Sequence, residues 1–253
     1  MYNEALEAIK SAALKKFALY DKSKSRYFVS AIIAGFYIGL GILIMSLSQS
    51  IFAGVDRPFV KLINGFVFSM ALSLVMMLGA DLFTGNVMTM SGGAFGGALR
   101  GSDAVKVCAF SYVGNFVGAL IVSVLFLGTA AKGTPVGDAV VGLAISKSKA
   151  DVMAIFFKGI MCNIFVCLGV LACLKMKSES GKLIMIFWCI LPFVALGFEH
   201  SIANMTVYIL GGLLSNEVTL AMALHNLVPA TIGNIVGGLL VSISYYLVGK
   251  EDK

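Results

Sequence analysis

Residues 62–90 of this chain read LINGFVFSMALSLVMMLGADLFTGNVMTM, and residues 183–214 read LIMIFWCILPFVALGFEHSIANMTVYILGGLL. Both stretches are long and apolar enough to cross a bilayer, whose hydrocarbon core of about 30 Å needs roughly 20 apolar residues in a helix. Each also carries a carboxylate in its interior, Asp81 and Glu199. A charge at the bilayer centre costs about 2.5–3.5 kcal/mol on insertion scales, so such residues face a protein interior or a hydrated path. These stretches therefore predict two interrupted membrane spans that carry a functional site.

The composition of the whole chain is that of a membrane protein. Of its 253 residues, 59% are hydrophobic and 13% are charged, and the mean hydropathy is +0.95. Soluble domains have roughly 45–50% apolar and 25% charged residues. No polar linker interrupts the chain, so we expect a single membrane domain over residues 1–253. The net charge of +6 is spread between the apolar runs, which indicates membrane topology and no nucleic-acid partner.

Hydropathy predicts six membrane spans, at about 28–52, 62–90, 104–131, 152–174, 183–214 and 219–248. The amino terminus, the carboxyl tail and the links at 91–106 and 175–182 together hold 13 of the 19 Lys and Arg residues. The positive-inside rule then predicts that both termini lie in the cytoplasm, and we expect the protein in the inner cell membrane. Lys158 is the one lysine well inside a predicted span, since Lys106 lies where the link at 91–106 meets its span.

The first 27 residues form a basic segment that precedes the spans. Their apolar spacing predicts a cytoplasmic amphipathic helix that lies on the membrane surface. The basic residues expected to face anionic headgroups are Lys15, Lys16, Lys22, Lys24 and Arg26.

The cysteines give no sign of a metal centre. All five lie in apolar stretches at spacings that match no metal-binding motif, and we interpret them as reduced packing residues. They are Cys108, Cys162, Cys167, Cys173 and Cys189. We therefore expect neither a metal nor a cofactor.

The two interrupted stretches repeat each other. The Leu-Gly-x-acid pattern at 78–81 recurs at 196–199, an offset of 118, and an Asn follows each acid five positions later. Likewise, the Gly-Asn-x-x-Gly pattern at 114–118 recurs at 233–237, an offset of 119. Two echoes at nearly equal offset predict two related halves of three spans each.

This repeat predicts the fold class. The halves are 28–131 and 152–248, and an odd number of spans forces the second half to insert upside down. We expect an all-α integral membrane protein with an inverted 3+3 repeat and two broken helices. Unwound backbone at membrane depth occurs only where protein buries it or a cavity hydrates it, and half-helix amino termini favour an anion. The predicted function is transport of a small solute.

The motifs along the chain resemble those of the formate/nitrite transporter family, and the resemblance covers nearly its whole length. The matching segments are AGFYIGLG at 34–41, ADLFTGN at 80–86, GIMCNIFVCLGV at 159–170, GFEHSIANM at 197–205 and PATIGNIVGG at 229–238. The resemblance implies a homopentamer of aquaporin-like protomers, each with its own pore for small monovalent anions.

The resemblance also implies roles for individual residues. His200 corresponds to the central pore histidine, Thr84 to the threonine facing it and Asn163 to a pore asparagine. Lys147 corresponds to the vestibule lysine, with Lys149 as the competing candidate. The implied apolar constrictions are Phe68 and Phe193 on the outer side and Leu72, Phe83 and Val166 on the inner side. The implied supporting residues are Asp81, Asn86, Glu199 and Asn204.

Simpler interpretations of several of these residues stay open. Asp81 and Glu199 are better explained as caps of half-helices than as substrate contacts. The apolar constriction residues would pass as ordinary core, and Lys147 and Lys149 could be solvated loop charges. His225 is interpreted as a residue at the outer end of the sixth span.

The predicted mechanism compares two costs. Stripping water from a monovalent anion in an apolar slit costs several kcal/mol, from an idealised value of around 20 kcal/mol. Protonating a weak acid roughly three pH units above its pKa costs only about 4 kcal/mol. We therefore expect the anion to share a proton near His200. Histidine is the one residue type in the two broken segments whose unperturbed pKa is near 6.5. Whether His200 or water supplies that proton stays open.

The substrate is expected to be hydrosulfide, formate or nitrite. The short Thr84-Gly85-Asn86 loop resembles that of the hydrosulfide-channel branch more than that of the formate branch. An aquaporin-like channel for neutral solutes is the alternative, although its paired Asn-Pro-Ala motifs are absent. A membrane enzyme is disfavoured because two histidines and scattered cysteines build no catalytic constellation.

Overall fold

The computed structural model describes residues 2–250, and all secondary structure in this range is helical. Its ten helices are α1 Tyr2–Lys22, α2 Lys24–Ile51, α3 Arg57–Leu78, α4 Phe83–Phe95, α5 Gly101–Leu127, α6 Pro135–Ser148, α7 Val152–Lys175, α8 Glu179–Ala195, α9 Ser201–Leu214 and α10 Leu220–Gly249. Within residues 2–250, five helices are long and apolar enough to cross a membrane, namely α2, α3 from Pro58, α5, α7 and α10. The second crossing continues from α3 into α4, and α8 and α9 together make the fifth.

Both breaks begin at the glycine of the Leu-Gly-x-acid pattern. Gly79 follows α3 with a φ of +77°, and Gly197 follows α8 with a φ of +70°. Residues other than glycine rarely adopt this left-handed backbone conformation, so a glycine can end each half-helix with little conformational strain. The chain then passes through the acid without helical structure, and the next residue, Leu82 or His200, is extended before α4 or α9 begins. The prediction of two broken helices is confirmed.

Within each half, the Gly-Asn helix packs tightly on the first helix of that half. A Cβ added to Gly118 of α5 would lie 2.1 Å from the carbonyl oxygen of Ile32 in α2. A Cβ added to Gly233 of α10 would lie 2.2 Å from the carbonyl oxygen of Phe156 in α7. Only glycine permits backbones this close. The small-residue runs therefore pack helices together inside the protomer.

Helix α1, which was predicted to lie on the membrane surface, packs its apolar face onto the rest of the protein. Its apolar face is buried against α4 and α10, with Ile9 and Ala13 fully inaccessible. Lys16 also does not face headgroups, because its Nζ donates to the carboxylate of Asp81. Docking removes the apolar face of α1 from water and gives the buried Asp81 a countercharge, so the helix binds the protein. The other four basic residues expected at the headgroups are exposed.

The link between the two halves contains a helix that hydropathy did not predict. Thr134 caps α6 by accepting from the backbone N–H of Gly137 at 3.2 Å, and Pro135 occupies the first turn. Val140 and Ala144 bury one side of α6 against α9 and α2. This short helix carries Lys147 in its last turn.

Candidate functional site

The ends of the two short half-helices meet at the centre of the molecule. Thr84 is the second residue of α4, and His200 immediately precedes α9. Thr84 Oγ1 and His200 Nε2 are 3.0 Å apart, and both side chains are buried. The structure thus brings together the threonine and the histidine that the resemblance singled out.

Hydrogen bonding fixes the proton position of a neutral His200. Its Nδ1 caps α9 by accepting from the backbone N–H of Ala203 at 3.1 Å. A nitrogen that accepts an N–H carries no proton, so the neutral ring is protonated at Nε2 and donates to Thr84 Oγ1. A second proton on Nδ1 would place two N–H groups against each other and remove this cap.

Each break is held by an asparagine from the facing Gly-Asn helix. Asn115 Oδ1 accepts from the N–H of Phe83 at 2.8 Å, and its Nδ2 donates to the carbonyls of Ala31 and Asp81 at 2.7 and 3.0 Å. A primary amide both accepts and donates, so one side chain satisfies backbone groups within the gap, at the start of α4 and on α2.

Asn234 repeats this arrangement in the second half. Its Oδ1 accepts from the N–H of Ser201 at 2.8 Å, and its Nδ2 donates to the carbonyls of Gly159 and Glu199, both at 2.8 Å. Neither Asn115 nor Asn234 was predicted as a site residue. The signal that could have found them was the Gly-Asn echo itself.

The carboxylates do not cap the half-helices, which corrects the simpler interpretation of Asp81 and Glu199. Glu199 Oε2 accepts from Lys147 Nζ at 2.7 Å, and the Asp81 carboxylate accepts from Lys16 Nζ and, at 2.9 Å, from Ser30 Oγ. A carboxylate can only accept, and a buried one needs a cation. Asparagine amides, joined at α9 by the ring of His200, therefore cap the half-helices, and lysines bind the acids.

The predicted supporting asparagines lie beside these acids. Asn204 Nδ2 donates to Glu199 Oε2 and to Asn226 Oδ1, both at 2.6 Å. Asn86 Nδ2 donates to the hydroxyl of Tyr27 at 2.8 Å. Asn226 and Tyr27 are fully buried, and the sequence carried no echo that pointed to either.

Asn163 connects the two halves. Its Nδ2 donates to the carbonyls of Thr84 at 3.2 Å and Asn234 at 2.6 Å. Its Oδ1 is buried and has no hydrogen-bond partner among residues 2–250. The Cys167 thiol, one turn further along α7, also contacts the Thr84 carbonyl, at 3.7 Å. Asn163 thus fixes the break before α4 against α7 and α10.

Two cavities lie on opposite sides of the Thr84–His200 pair, and we name them from the predicted topology. The outer vestibule has a volume of about 270 Å³ and is lined by residues including Lys61, Phe68, Lys147, Lys158, Phe193, Glu199 and His200. The inner vestibule has a volume of about 310 Å³ and is lined by residues including Lys16, Leu72, Asp81, Leu82, Asn86 and Val170. Lys149 is exposed, whereas Lys147 reaches the outer vestibule.

Three of the five predicted constriction residues line a vestibule, Phe68 and Phe193 the outer one and Leu72 the inner one. The rings of Phe68 and Phe193 meet edge to face at 6.1 Å, and Phe193 also stacks on His200 at 6.1 Å. Leu72 lines the inner vestibule, and Val166 is buried in α7 one turn before Val170.

Phe83 differs from the other constriction residues. Its ring contacts Tyr112 at 4.8 Å, and it lines a separate apolar cavity between α4, α5 and α10. His225, near the start of α10, bonds the carbonyl of Ala150 at 2.9 Å and is exposed.

Six membrane crossings, with two inverted breaks whose polar tips meet between two cavities, define a membrane channel or transporter. The chain belongs to the formate/nitrite transporter family, since the family described as "Formate/nitrite transporter" matches residues 3–248.

Individual relatives agree with this assignment. The chain is 33% identical to the "Nitrite transporter NirC" of Escherichia coli (strain K12) over 250 residues, which cover 97% of this chain and 92% of NirC. The solved structure of an "FNT family ion channel" matches with a TM-score of 0.89 at 31% identity, over 98% of this chain and 99% of that one. A "Pentameric formate channel with formate bound" matches with a TM-score of 0.81 at 27% identity, over 90% of this chain and 98% of that one.

Proposed function

We propose that this protein is a homopentameric channel for small monovalent weak-acid anions. The observation that carries the proposal is the buried Thr84–His200 pair, 3.0 Å apart, between two vestibules that each contain a lysine. The names of its relatives support formate and nitrite as substrates and a pentameric assembly. The positive-inside pattern supports an orientation in the inner membrane with both termini in the cytoplasm.

The proposed route runs through the protomer. An anion binds in the outer vestibule near Lys147 and passes between Phe68 and Phe193. It then contacts His200 Nε2–H and the hydroxyl of Thr84.

On the inner side the solute passes the apolar side chains of Val166 and Leu72. It leaves through the inner vestibule, where Asp81 is paired with Lys16. Asn163, the predicted pore asparagine, does not contact the solute on this route; it fixes the backbone of Thr84 through a hydrogen bond to its carbonyl.

The solute crosses the apolar segments as its neutral acid. Burying a bare anion costs several kcal/mol even after relaxation, whereas protonating a weak acid roughly three pH units above its pKa costs about 4 kcal/mol. His200 holds the anion through a hydrogen bond from Nε2. Because Nδ1 is occupied by the helix cap, water in the vestibules is the better proton source.

The substrate range includes hydrosulfide, which we place first. The short Thr84-Gly85-Asn86 segment supports this preference by its resemblance to the hydrosulfide-channel branch. Hydrosulfide, formate and nitrite are all small monovalent anions of weak acids, so the same two donors suit each of them.

Flux in proteoliposomes tests the proposal. Hydrosulfide, formate and nitrite should each cross faster than in empty liposomes, and glycerol should not. Thr84→Ala should slow all three anions while the oligomer stays intact on size exclusion. Transport of glycerol without anions would indicate the aquaporin-like alternative, and native mass showing only monomers would contradict the pentamer.

A further inference from the structure

The two vestibules differ in their balance of charge. Among the described residues that line the outer vestibule, three are lysines, Lys61, Lys147 and Lys158, and one is a carboxylate, Glu199. The inner vestibule is lined by one lysine, Lys16, and one carboxylate, Asp81. The outer vestibule thus carries two surplus positive charges and the inner one carries none.

The surplus does not reside on Lys147. Its Nζ is 2.7 Å from Glu199 Oε2, and only 16% of its side chain is exposed. At distances beyond a few ångströms such a pair acts as a dipole, so its field on an approaching anion is weak. Lys61 and Lys158 form no ion pair with any carboxylate in residues 2–250. The uncompensated charge of this vestibule therefore belongs to them.

Lys158 has the more informative position. It lies in α7, eight residues before Val166 and twelve residues before Val170. At 1.5 Å per residue, Val166 is about 12 Å and Val170 about 18 Å along the helix axis. Val170 lines the inner vestibule and Lys158 the outer one, so α7 runs alongside both vestibules.

Contacts to the second break keep Lys158 at the mouth of the passage. Its carbonyl oxygen accepts from the N–H of Glu199 at 3.4 Å, next to His200. The side chain is half-buried and lines the cavity. A lysine within a membrane helix is costly unless it reaches a hydrated cavity or a partner, and Lys158 lines the outer vestibule.

We infer that Lys158, assisted by Lys61, is the residue that draws anions to the outer mouth of the pore. The inference rests on the proposed function and adds a residue that neither the family motifs nor the resemblance singled out. Lys147 then acts at short range by holding Glu199. A consequence is directional: anion uptake from the outer side depends on salt, and uptake from the inner side depends on it much less.

The test uses full-length protein in liposomes of known orientation. Initial formate and nitrite uptake is measured at ionic strengths of about 0.01 and 0.15 M, where the Debye length is about 30 and 8 Å. Lys158→Gln should lower uptake from the outer side roughly threefold at low salt, a part of the ten- to thousandfold that a whole charged cleft gives. The difference should largely vanish at high salt.

Matched variants separate charge from shape. Lys158→Arg keeps the charge and should behave like the wild type, whereas Lys61→Gln should show the same pattern with a smaller amplitude. Lys149→Gln is the control, because Lys149 is exposed on the same side and lies outside the vestibule lining. Its effect at low salt should be smaller than that of either vestibule variant, and it should vanish at high salt.

Failure of the inference can be told from failure of the proposed function. Wild-type protein that carries no small anion would overturn the proposed function. Wild-type protein that carries anions, with Lys158→Gln slowed equally at both salt concentrations or not slowed, would overturn the role of Lys158. If neutral variants at this position do not assemble, the wild type decides alone: equal salt dependence of uptake from both sides would overturn the inference.

Discussion

In both broken spans an asparagine holds the backbone by hydrogen bonds, but the side chains around the two breaks differ. In both, a glycine ends the first half-helix, and an asparagine from the facing helix binds the backbone at the start of the second. The first break presents Thr84 to the centre and the second presents His200. The paired lysine of the first break comes from α1, which precedes the repeat, and that of the second comes from α6, which links its halves. The backbone arrangement of the break is thus present in both halves, whereas the central side chain and the source of the paired lysine differ.

The largest expected effect comes from removing one of the two asparagines that hold the breaks. Asn234→Ala would leave one N–H and two carbonyls without their partner, and each unsatisfied buried group costs about 1–3 kcal/mol. We expect the melting temperature of the purified oligomer to fall by about 10 °C or more. Asn115→Ala should be equally harmful. A mild effect at one position and a severe effect at the other would show that the two asparagines do not contribute equally to stability.

The two acid–lysine pairs should differ in strength. The pair of Glu199 and Lys147 has exposures of 4% and 16%, against 8% and 25% for Asp81 and Lys16. The less exposed pair is screened less by solvent, so double-mutant cycles with glutamine or asparagine should give coupling of about 2 kcal/mol for it and about 1 kcal/mol for the other. Thermal stability in mild detergent measures both. Coupling that is larger for Asp81 with Lys16 would contradict this ranking.

The central pair allows a test of the proton source. His200→Asn keeps a donor of similar reach but cannot titrate, and it loses the hydrogen bond of the imidazole to Thr84. We expect flux to fall about tenfold, as for the loss of one hydrogen bond of about 1.4 kcal/mol, and anion selectivity to change. If water supplies the proton, the midpoint of flux against pH stays that of the wild type. A displaced midpoint in an intact oligomer would instead make His200 the proton donor.

The smallest expected effect concerns a single hydroxyl at the first break. Ser30→Ala removes one bond to Asp81 and leaves the Lys16 contact in place. The cost should be about 0.5–1.5 kcal/mol, seen as a fall in melting temperature of a few degrees with flux nearly unchanged. Ser25→Ala is the control, since Ser25 is exposed and lies five residues earlier in α2. A loss of most flux in Ser30→Ala would assign this hydroxyl a role in permeation.

Much of the site could be predicted from patterns that are visible in the amino-acid sequence. The Leu-Gly-x-acid echo located both breaks, and the family motifs located Thr84 and His200, which the fold brings within 3.0 Å. Tyr27 and Asn226 could not be found this way, because each contacts its partner across 59 and 22 positions of sequence without a repeated pattern. Phe83 matched the motif, yet its ring packs on Tyr112 in a separate cavity.

The sequence by itself determined the membrane class, the six crossings, the two breaks and the inverted repeat. These follow from hydrophobic length, glycine positions and the number of spans per half, which are local or periodic properties of the chain. Tertiary structure alone decided that asparagine amides and the ring of His200 cap the half-helices, and that α1 docks through Lys16 onto Asp81. It also decided that Lys158 has no countercharge among residues 2–250. Such choices depend on which polar groups meet after the helices pack, because a buried acid takes whichever cation the fold brings within reach.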